Sequence, residues 1–361
     1  MNATRRLHDL GQSLWLDHIT RDLLDAGTLQ RYIDDLSVTG LTSNPTIFEH
    51  ALNASAAYDD AIRAGVQAGR SGEQLFFDLA IDDLARAADL FRPIHALTNG
   101  VDGWVSLEVS PLLAHDSAAT LQAAKDLFAR ADRSNLHIKI PGTKEGLPAI
   151  EAATFAGIPV NVTLLFSREH YLAAADAWLR GVERRIEAGL NPDVRSVGSV
   201  FVSRWDVAVS PRVPAALKNQ LGIAMAGRIY VAVRALHASP RWQRVQNAGA
   251  RPQRLLWAST GSKDPKASDL LYVNALAAPY TVNTLPEKTL LALANHGEAK
   301  PILADEGGDA EEVIAAHARA GVNVDALAAQ LQDEGAKAFV KSWYGLLTRL
   351  AEKSAANGST S

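Results

Sequence analysis

Asn135-Leu136-His137-Ile138-Lys139-Ile140-Pro141-Gly142 is a short alternating apolar run that stops at Pro-Gly. The pattern predicts a buried strand with an amine near its carboxyl end. A lysine in an apolar wall snorkels out, finds a partner such as Glu108 or Asp17, or gives up its proton. The neutral amine is the form that attacks carbonyls to make Schiff bases. If Lys139 faces the inside of a sheet, the period of two puts His137 on the same side one layer below, as a hydrogen-bonded core histidine.

Working outward, seven more short apolar runs occur: Leu14 to Asp17, Val38 to Asn44, Trp104 to Val109, Pro159 to Thr163, Val197 to Val202, Leu255 to Ser259 and Tyr280 to Asn283. Helical patterns lie between them, including Gly72 to Phe91, Ala118 to Ala131, Ser167 to Gly189 and Val213 to His237. Such alternation implies parallel β-α-β units, and eight of them suggest a closed (β/α)8 TIM barrel with additional helices, with a doubly wound open sheet as the alternative. Residues 1–354 read as one barrel domain with a C-terminal helical extension. In that extension Ala336 to Lys353 places Phe339, Trp343, Leu346, Leu347 and Leu350 on one face, predicting a helix packed on the barrel exterior or across one mouth. Residues 355–361 read as a disordered tail.

Composition excludes several chemistries. There is no cysteine, so disulfides, thiolate metal sites and cysteine nucleophiles are ruled out. The ten histidines show no metal-ligand spacing, which predicts no metal. Thirty-six basic and 40 acidic side chains leave a net charge of -4, without the footprint of a nucleic-acid or anionic-membrane binder. The N-terminus lacks an apolar h-region, and no apolar run is read as reaching the roughly 18 residues that span a bilayer, so a cytoplasmic enzyme is expected.

Parallel strands buried on both faces are usually continuous Val, Ile and Leu. Here nearly every run instead ends in a polar residue: Asp17, Asn44, Glu108, Lys139, Asn161 with Thr163, Ser199, Ser259 and Asn283. In a barrel those ends converge on the mouth where active sites of this fold are built. By parity Asn161 and Thr163 share one side of their strand, while Val160, Val162 and Leu164 pack on the other. Arg204 follows one late strand, and Ser259-Thr260-Gly261-Ser262-Lys263 follows the next, as anion sites often do in barrels. Gly142-Thr143-Lys144-Glu145-Gly146 lacks Walker spacing, and Thr143 reads as a helix N-cap.

Several stretches in order now resemble the transaldolase family: Gly40-Leu41-Thr42-Ser43-Asn44-Pro45-Thr46-Ile47-Phe48, Ile138-Lys139-Ile140-Pro141-Gly142-Thr143-Lys144-Glu145-Gly146, Asn161-Val162-Thr163-Leu164-Leu165-Phe166-Ser167 and Ser199-Val200-Phe201-Val202-Ser203-Arg204. Trp257 to Lys263 and Thr281 to Thr289 resemble its longer-chain bacterial branch. The resemblance spans about Leu14 to Leu350. It implies a class I aldolase-type barrel that needs no cofactor and moves a dihydroxyacetone unit between sugar phosphates in the non-oxidative pentose phosphate pathway. The donors would be ketoses such as sedoheptulose 7-phosphate or fructose 6-phosphate; the acceptors would be aldoses such as glyceraldehyde 3-phosphate or erythrose 4-phosphate.

Carried over residue by residue, Lys139 would form the imine and Asp17 would exchange the proton of the C4 hydroxyl. Glu108 and Thr163 would hold a water. Asn44, Asn161 and Ser199 would hold the dihydroxyacetone hydroxyls beside Phe201, with Arg204 and Ser259 on the phosphate. Other branches carry an arginine two residues after the serine, where this chain has Gly261, so Lys263 would supply that charge. A related branch of simple aldolases, which release dihydroxyacetone, tends to have Gln and Tyr at the positions of Glu108 and Phe201. That activity and an inactive barrel used as a scaffold are the alternatives. Monomer and homodimer are both left open.

Overall fold

The expected strands all form, and they close. In the computed structural model, which describes residues 2–298 and 302–358, eight parallel strands pair in chain order and the last returns to the first. They are β1 (Ser13–Leu16), β2 (Val38–Thr42), β3 (Trp104–Glu108), β4 (Leu136–Pro141), β5 (Val160–Leu165), β6 (Ser196–Phe201), β7 (Arg254–Ala258) and β8 (Val282–Leu285). Closure removes both sheet edges, and the intervening helices cover the outer face. This is a (β/α)8 barrel; the open-sheet alternative is excluded by the β1–β8 pairing of Leu14 with Asn283 and Leu16 with Leu285.

Alternation along the strands separates two apolar clusters. Leu14, Leu16, Val105, Leu107, Ile138, Ile140, Val160 and Val162 pack outward under the helices, whereas Trp15, Trp104, Val197, Leu256 and Val282 fill the interior. Room for the Trp15 indole comes from Gly40 on the neighbouring strand. A Cβ there would lie 2.6 Å from the indole nitrogen, so only glycine fits without repacking.

Two strands depart from the expected alternation. In β5 the register against β6 shifts between Val162 and Leu165, and Leu164 takes a positive φ of 61°. Leu164 therefore turns toward the barrel mouth with Phe166 instead of packing outward, and Leu165 takes the outer place. In β8 the strand runs on to Leu285, which places Asn283 outward in step with Leu285 and turns Thr284 inward. Asn283 is thus not a mouth residue; its Oδ1 accepts from Thr260 Oγ1 at 2.9 Å.

The C-terminal helix is longer than its apolar face suggests, running Val324–Gly358 over 35 residues, through the first part of the stretch expected as a tail; residues 359–361 lie outside the described residues. It does both things expected of it. Trp343, Leu346 and Leu350 pack on the exterior against the ring helices, and Phe339 and Leu331 belong to the interior cluster at the mouth. Another stretch corrects an expectation: Ala215–Ala238 is long and apolar enough by length and composition to cross a membrane. Half of that window is buried, and its Arg228 donates to Glu311 at 2.7 Å, so it packs here as a core helix of the outer ring.

His137 is a core residue, as parity predicted, but it is not hydrogen-bonded. Its ring lies 4.1 Å from that of Trp104 and 6.0 Å from that of Trp15, and both nitrogens lack a partner among the described residues. Burial first, then the positive charges of His95, Arg195 and Arg254, push its pKa down to about 3. As pH falls, the unfolded chain therefore takes this proton first. The stability His137 contributes is full above about pH 6.5 and is lost between there and about pH 3, with a slope of up to about 1.4 kcal/mol per pH unit. Urea denaturation across this range should show the wild type losing stability relative to His137→Phe as pH falls; a difference that does not change with pH would refute the assignment.

Candidate active site

Strand register builds the site. Glu108, Lys139 and Asn161 are Cα partners across β3, β4 and β5, so the three side chains stand side by side at the carboxyl end of the barrel, facing in. Lys139 Nζ donates to the Ser43 carbonyl at 3.1 Å and lies 3.1 Å from Glu108 Oε2. Both side chains are almost entirely buried. The partner considered for Lys139 from sequence is thus present. The contact is a charge pair without hydrogen-bond alignment, because neither Glu108 oxygen has a donor among the described residues. Burial pushes the Glu108 carboxyl above its ordinary value, opposed chiefly by the Lys139 charge.

Asp17 leaves the end of β1 with its N–H bonded to Leu285 O at 2.8 Å. Its carboxylate accepts from Thr42 Oγ1 at 2.8 Å, and Thr42 Oγ1 lies 2.6 Å from Thr284 Oγ1. Thr42 has one proton and gives it to Asp17, so Thr284 must donate to Thr42. This relay fixes the carboxylate's rotamer. Burial raises its pKa, with Lys139, Thr42, His18 and Lys263 pulling the other way.

A second relay crosses the floor. Ser199 Oγ donates to Asn161 Oδ1 at 2.7 Å, and Asn161 Nδ2 donates to Ser106 Oγ at 3.1 Å. The amide is thereby oriented between two hydroxyls. The Thr163 hydroxyl, also buried, has no partner among the described residues. Asn44 is half-buried and caps the helix Pro45–Ala54, its Oδ1 accepting from Ile47 N at 3.1 Å, which leaves Nδ2 outside the capping bond.

Three residues predicted as an anion site gather on the far side. Arg204, at the start of the helix Ser203–Val209, makes no hydrogen bond or ion pair among the described residues; its guanidinium lies 5.0 Å from the Phe201 ring and 5.9 Å from that of Phe339. Burial lowers its pKa, with Glu334 and Glu108 opposing. Ser259 adopts a positive φ of 56°, and its hydroxyl pairs with Ser203 at 2.9 Å. Lys263 is exposed, yet its Nζ folds back to within 3.9 Å of where a Cβ on Gly261 would stand.

The mouth has a roof. Gln332 Nε2 donates to the carbonyls of Gly142 and Leu164 at 3.1 and 3.0 Å, and Phe339 lies 5.6 Å from Lys139 Nζ. At Gly335 a Cβ would come within 2.9 Å of Leu164 and 3.1 Å of Arg204 Nη1. The bulge at Leu164 is what presents its carbonyl to this helix.

Sequence reasoning missed Ser106, Thr42, Thr284, Ser203 and Gln332. Counting back two from Glu108 would have found Ser106. Thr284 was hidden by a strand end set too early. Gln332 carries no local signal, because its role depends on where a distant helix docks. Thr143 is not the N-cap expected of it: the helix Gly146–Phe155 has Glu145 at that position, and Thr143 accepts from Gly146 N at 3.0 Å from the turn before it while donating to Ala114 O at 2.7 Å. Among the described residues no cluster of His, Asp and Glu could hold a metal ion.

Fold and site together define an aldolase-type barrel carrying a buried amine at its mouth. The profile of the Transaldolase/Fructose-6-phosphate aldolase family matches residues 14–350, and the chain belongs to that family. It is 45% identical to a transaldolase of Thermobifida fusca, each chain covered over 98% of its length. It is 42% identical to a transaldolase of Thiobacillus denitrificans, over 97% of this chain and all of that one. A transaldolase 2 of a Nostoc species is 37% identical over 98% of both.

Gln332→Leu should unpin the roof. Loss of two hydrogen bonds to buried carbonyls should cost about 1–3 kcal/mol. It should also speed amide hydrogen exchange in the first turns of the C-terminal helix. Unchanged exchange there would show that Phe339 alone holds the helix down.

Proposed function

We propose that the enzyme is a transaldolase working through a Schiff base on Lys139, moving a dihydroxyacetone unit from a ketose phosphate to an aldose phosphate. The observation that carries this reading is a buried lysine held 3.1 Å from a carboxylate whose pKa burial raises, with a second raised carboxylate in the same mouth. Its relatives' names point the same way.

In this reading Glu108 takes a proton from the amine across their contact, and Lys139 Nζ attacks the C2 carbonyl of the ketose. Water leaves the carbinolamine with help from Glu108. The Thr163 hydroxyl and the Glu108 carboxylate, neither of which has a hydrogen-bond partner among the described residues, suit the role of holding that water. Asp17 then accepts the C4 hydroxyl proton while the C3–C4 bond breaks and its electrons pass into the imine. A carboxylate with a raised pKa is the better base for this step. The Asn161 amide, oriented by Ser106 and Ser199, holds hydroxyls of the three-carbon unit with Asn44, beside Phe201. That unit stays on Lys139 until an aldose enters and the steps reverse. The roof helps to keep bulk water from hydrolysing the intermediate. Arg204, free of carboxylate partners, and Ser259 receive the phosphate, and Lys263 adds charge beside Gly261.

Borohydride trapping tests the mechanism directly. Lys139→Met should give no reduced adduct and no turnover. Asp17→Asn should form the imine but fail to cleave, so its adduct should carry the whole ketose phosphate where the wild type carries mainly the three-carbon unit. A three-carbon adduct formed by Asp17→Asn at the wild-type rate would remove Asp17 from the proton transfer.

The phosphate contact is tested separately. Lys263→Ala should raise KM for fructose 6-phosphate by about threefold to tenfold without lowering kcat comparably. Adding Gly261→Arg should restore most of the loss, since the new Cβ would stand 3.9 Å from where Lys263 Nζ now lies, with Pro286 Cγ at 3.2 Å and Thr289 Oγ1 at 3.6 Å as its other neighbours. Equal KM in wild type and Lys263→Ala would leave Arg204 as the sole clamp.

A further inference from the structure

The amino ends of the strands surround a second cavity, of about 760 Å³, at the pole opposite Lys139. It is lined by residues that open strands, such as Ser13, Trp104, Ser196 and Arg254, and by the helices Leu221–Ala238 and Pro240–Asn247. That volume lies in the range of small-molecule sites. Its walls are apolar and aromatic: Trp104, Val197, Tyr230, Val233, Trp242 and Leu255, all buried.

Two features set it apart from a packing defect. His137 lines it, 1% exposed, with both ring nitrogens lacking a partner among the described residues. Both nitrogens are closed to water, so the ring adds to the aromatic wall beside Trp104, 4.1 Å from it. The lining also carries four guanidiniums. Arg195 is held by Asp193, Arg254 by Asp102 and Arg234 by Asp305. Arg251, exposed on the rim, has no hydrogen bond or ion pair among the described residues, so the wall carries an excess of positive charge.

We propose that this amino-end cavity binds a small amphipathic anion, with a flat apolar body packed along Trp104 and the His137 ring and its acidic group toward Arg251. A sugar phosphate does not fit this description, having no apolar body to cover the aromatic wall. Nothing in the transfer chemistry uses the cavity, because the residues placed in that chemistry all stand at the carboxyl ends of the strands.

Anilinonaphthalene sulfonate, an aromatic anion of this class, is the probe. Fluorescence titration of the full-length enzyme should show saturable binding of one molecule per chain, undisturbed by fructose 6-phosphate. Arg251→Glu should weaken binding by about fivefold or more. Ala238→Trp, which fills the cavity from an exposed position at the end of its helix, should abolish it. Both variants should keep wild-type transfer rates. In protein with 15N-labelled histidine, the His137 ring resonances should shift on binding. Absence of saturable binding, unchanged affinity in Arg251→Glu, or displacement by fructose 6-phosphate would each overturn the proposal.

Discussion

The placement of opposite charges in a dry barrel mouth is the constraint on which the site depends. Lys139 and Glu108 lie 3.1 Å apart and are nearly inaccessible to water. Burying two ions costs several kcal/mol each, and the attraction between them recovers that cost only where geometry is good and the remaining donors and acceptors are met. Here they are not all met. Nζ has one carbonyl, Ser43 O, and the Glu108 oxygens have none of their hydrogen bonds within the described residues. A pair kept for stability would be expected to be satisfied. A pair that trades a proton and awaits a water or a substrate hydroxyl would be left as this one is, and strain of that kind is characteristic of catalytic positions.

Register does the positioning. Because β3, β4 and β5 pair in parallel without a slip below Val162, Glu108, Lys139 and Asn161 arrive level with each other. The irregularity comes just above, at Leu164, where a positive φ turns one carbonyl toward Gln332 and lets the C-terminal helix dock over the mouth. One strand therefore supplies a regular segment that sets Asn161 level with Lys139 and a broken one that anchors the cover. A straight continuation of β5 would have sent Leu164 outward and left the roof without one of its two anchoring carbonyls.

Much of this was readable from the chain. The eight apolar runs became the eight strands because parallel strands buried on both faces show themselves as short Val, Ile and Leu segments between amphipathic helices. The polar strand ends were readable for the same reason, as exceptions in otherwise apolar text. What could not be read was non-local or irregular. The turn of Leu164 has no composition signal. Asn283 and Thr284 exchange sides if the register is misread by one residue, a limit inherent in a period of two. His137 was assigned a hydrogen bond because buried polar groups usually have one. The structure gives it a Trp104 ring instead.

The two ends of the barrel bear on each other through this last departure. A side chain at position 137 points into the same barrel as Lys139, one layer down, so whatever sets the polarity near His137 is part of the dielectric beneath the amine. Trp15 and Trp104 close that layer, their indoles packed against the imidazole. Asp102 ties the layer in place, accepting from Ser13 Oγ at 2.6 Å and Trp15 Nε1 at 3.3 Å while paired with Arg254 at 3.2 Å. Asp102 and Arg254 at the amino end are thus locked together below an aromatic floor, and Lys139 and Glu108 stand above it. An aromatic layer between them keeps the mouth dry from beneath as the C-terminal helix does from above. That enclosure is what raises the Glu108 carboxyl above its ordinary value while the charge of Lys139 beside it pulls the other way.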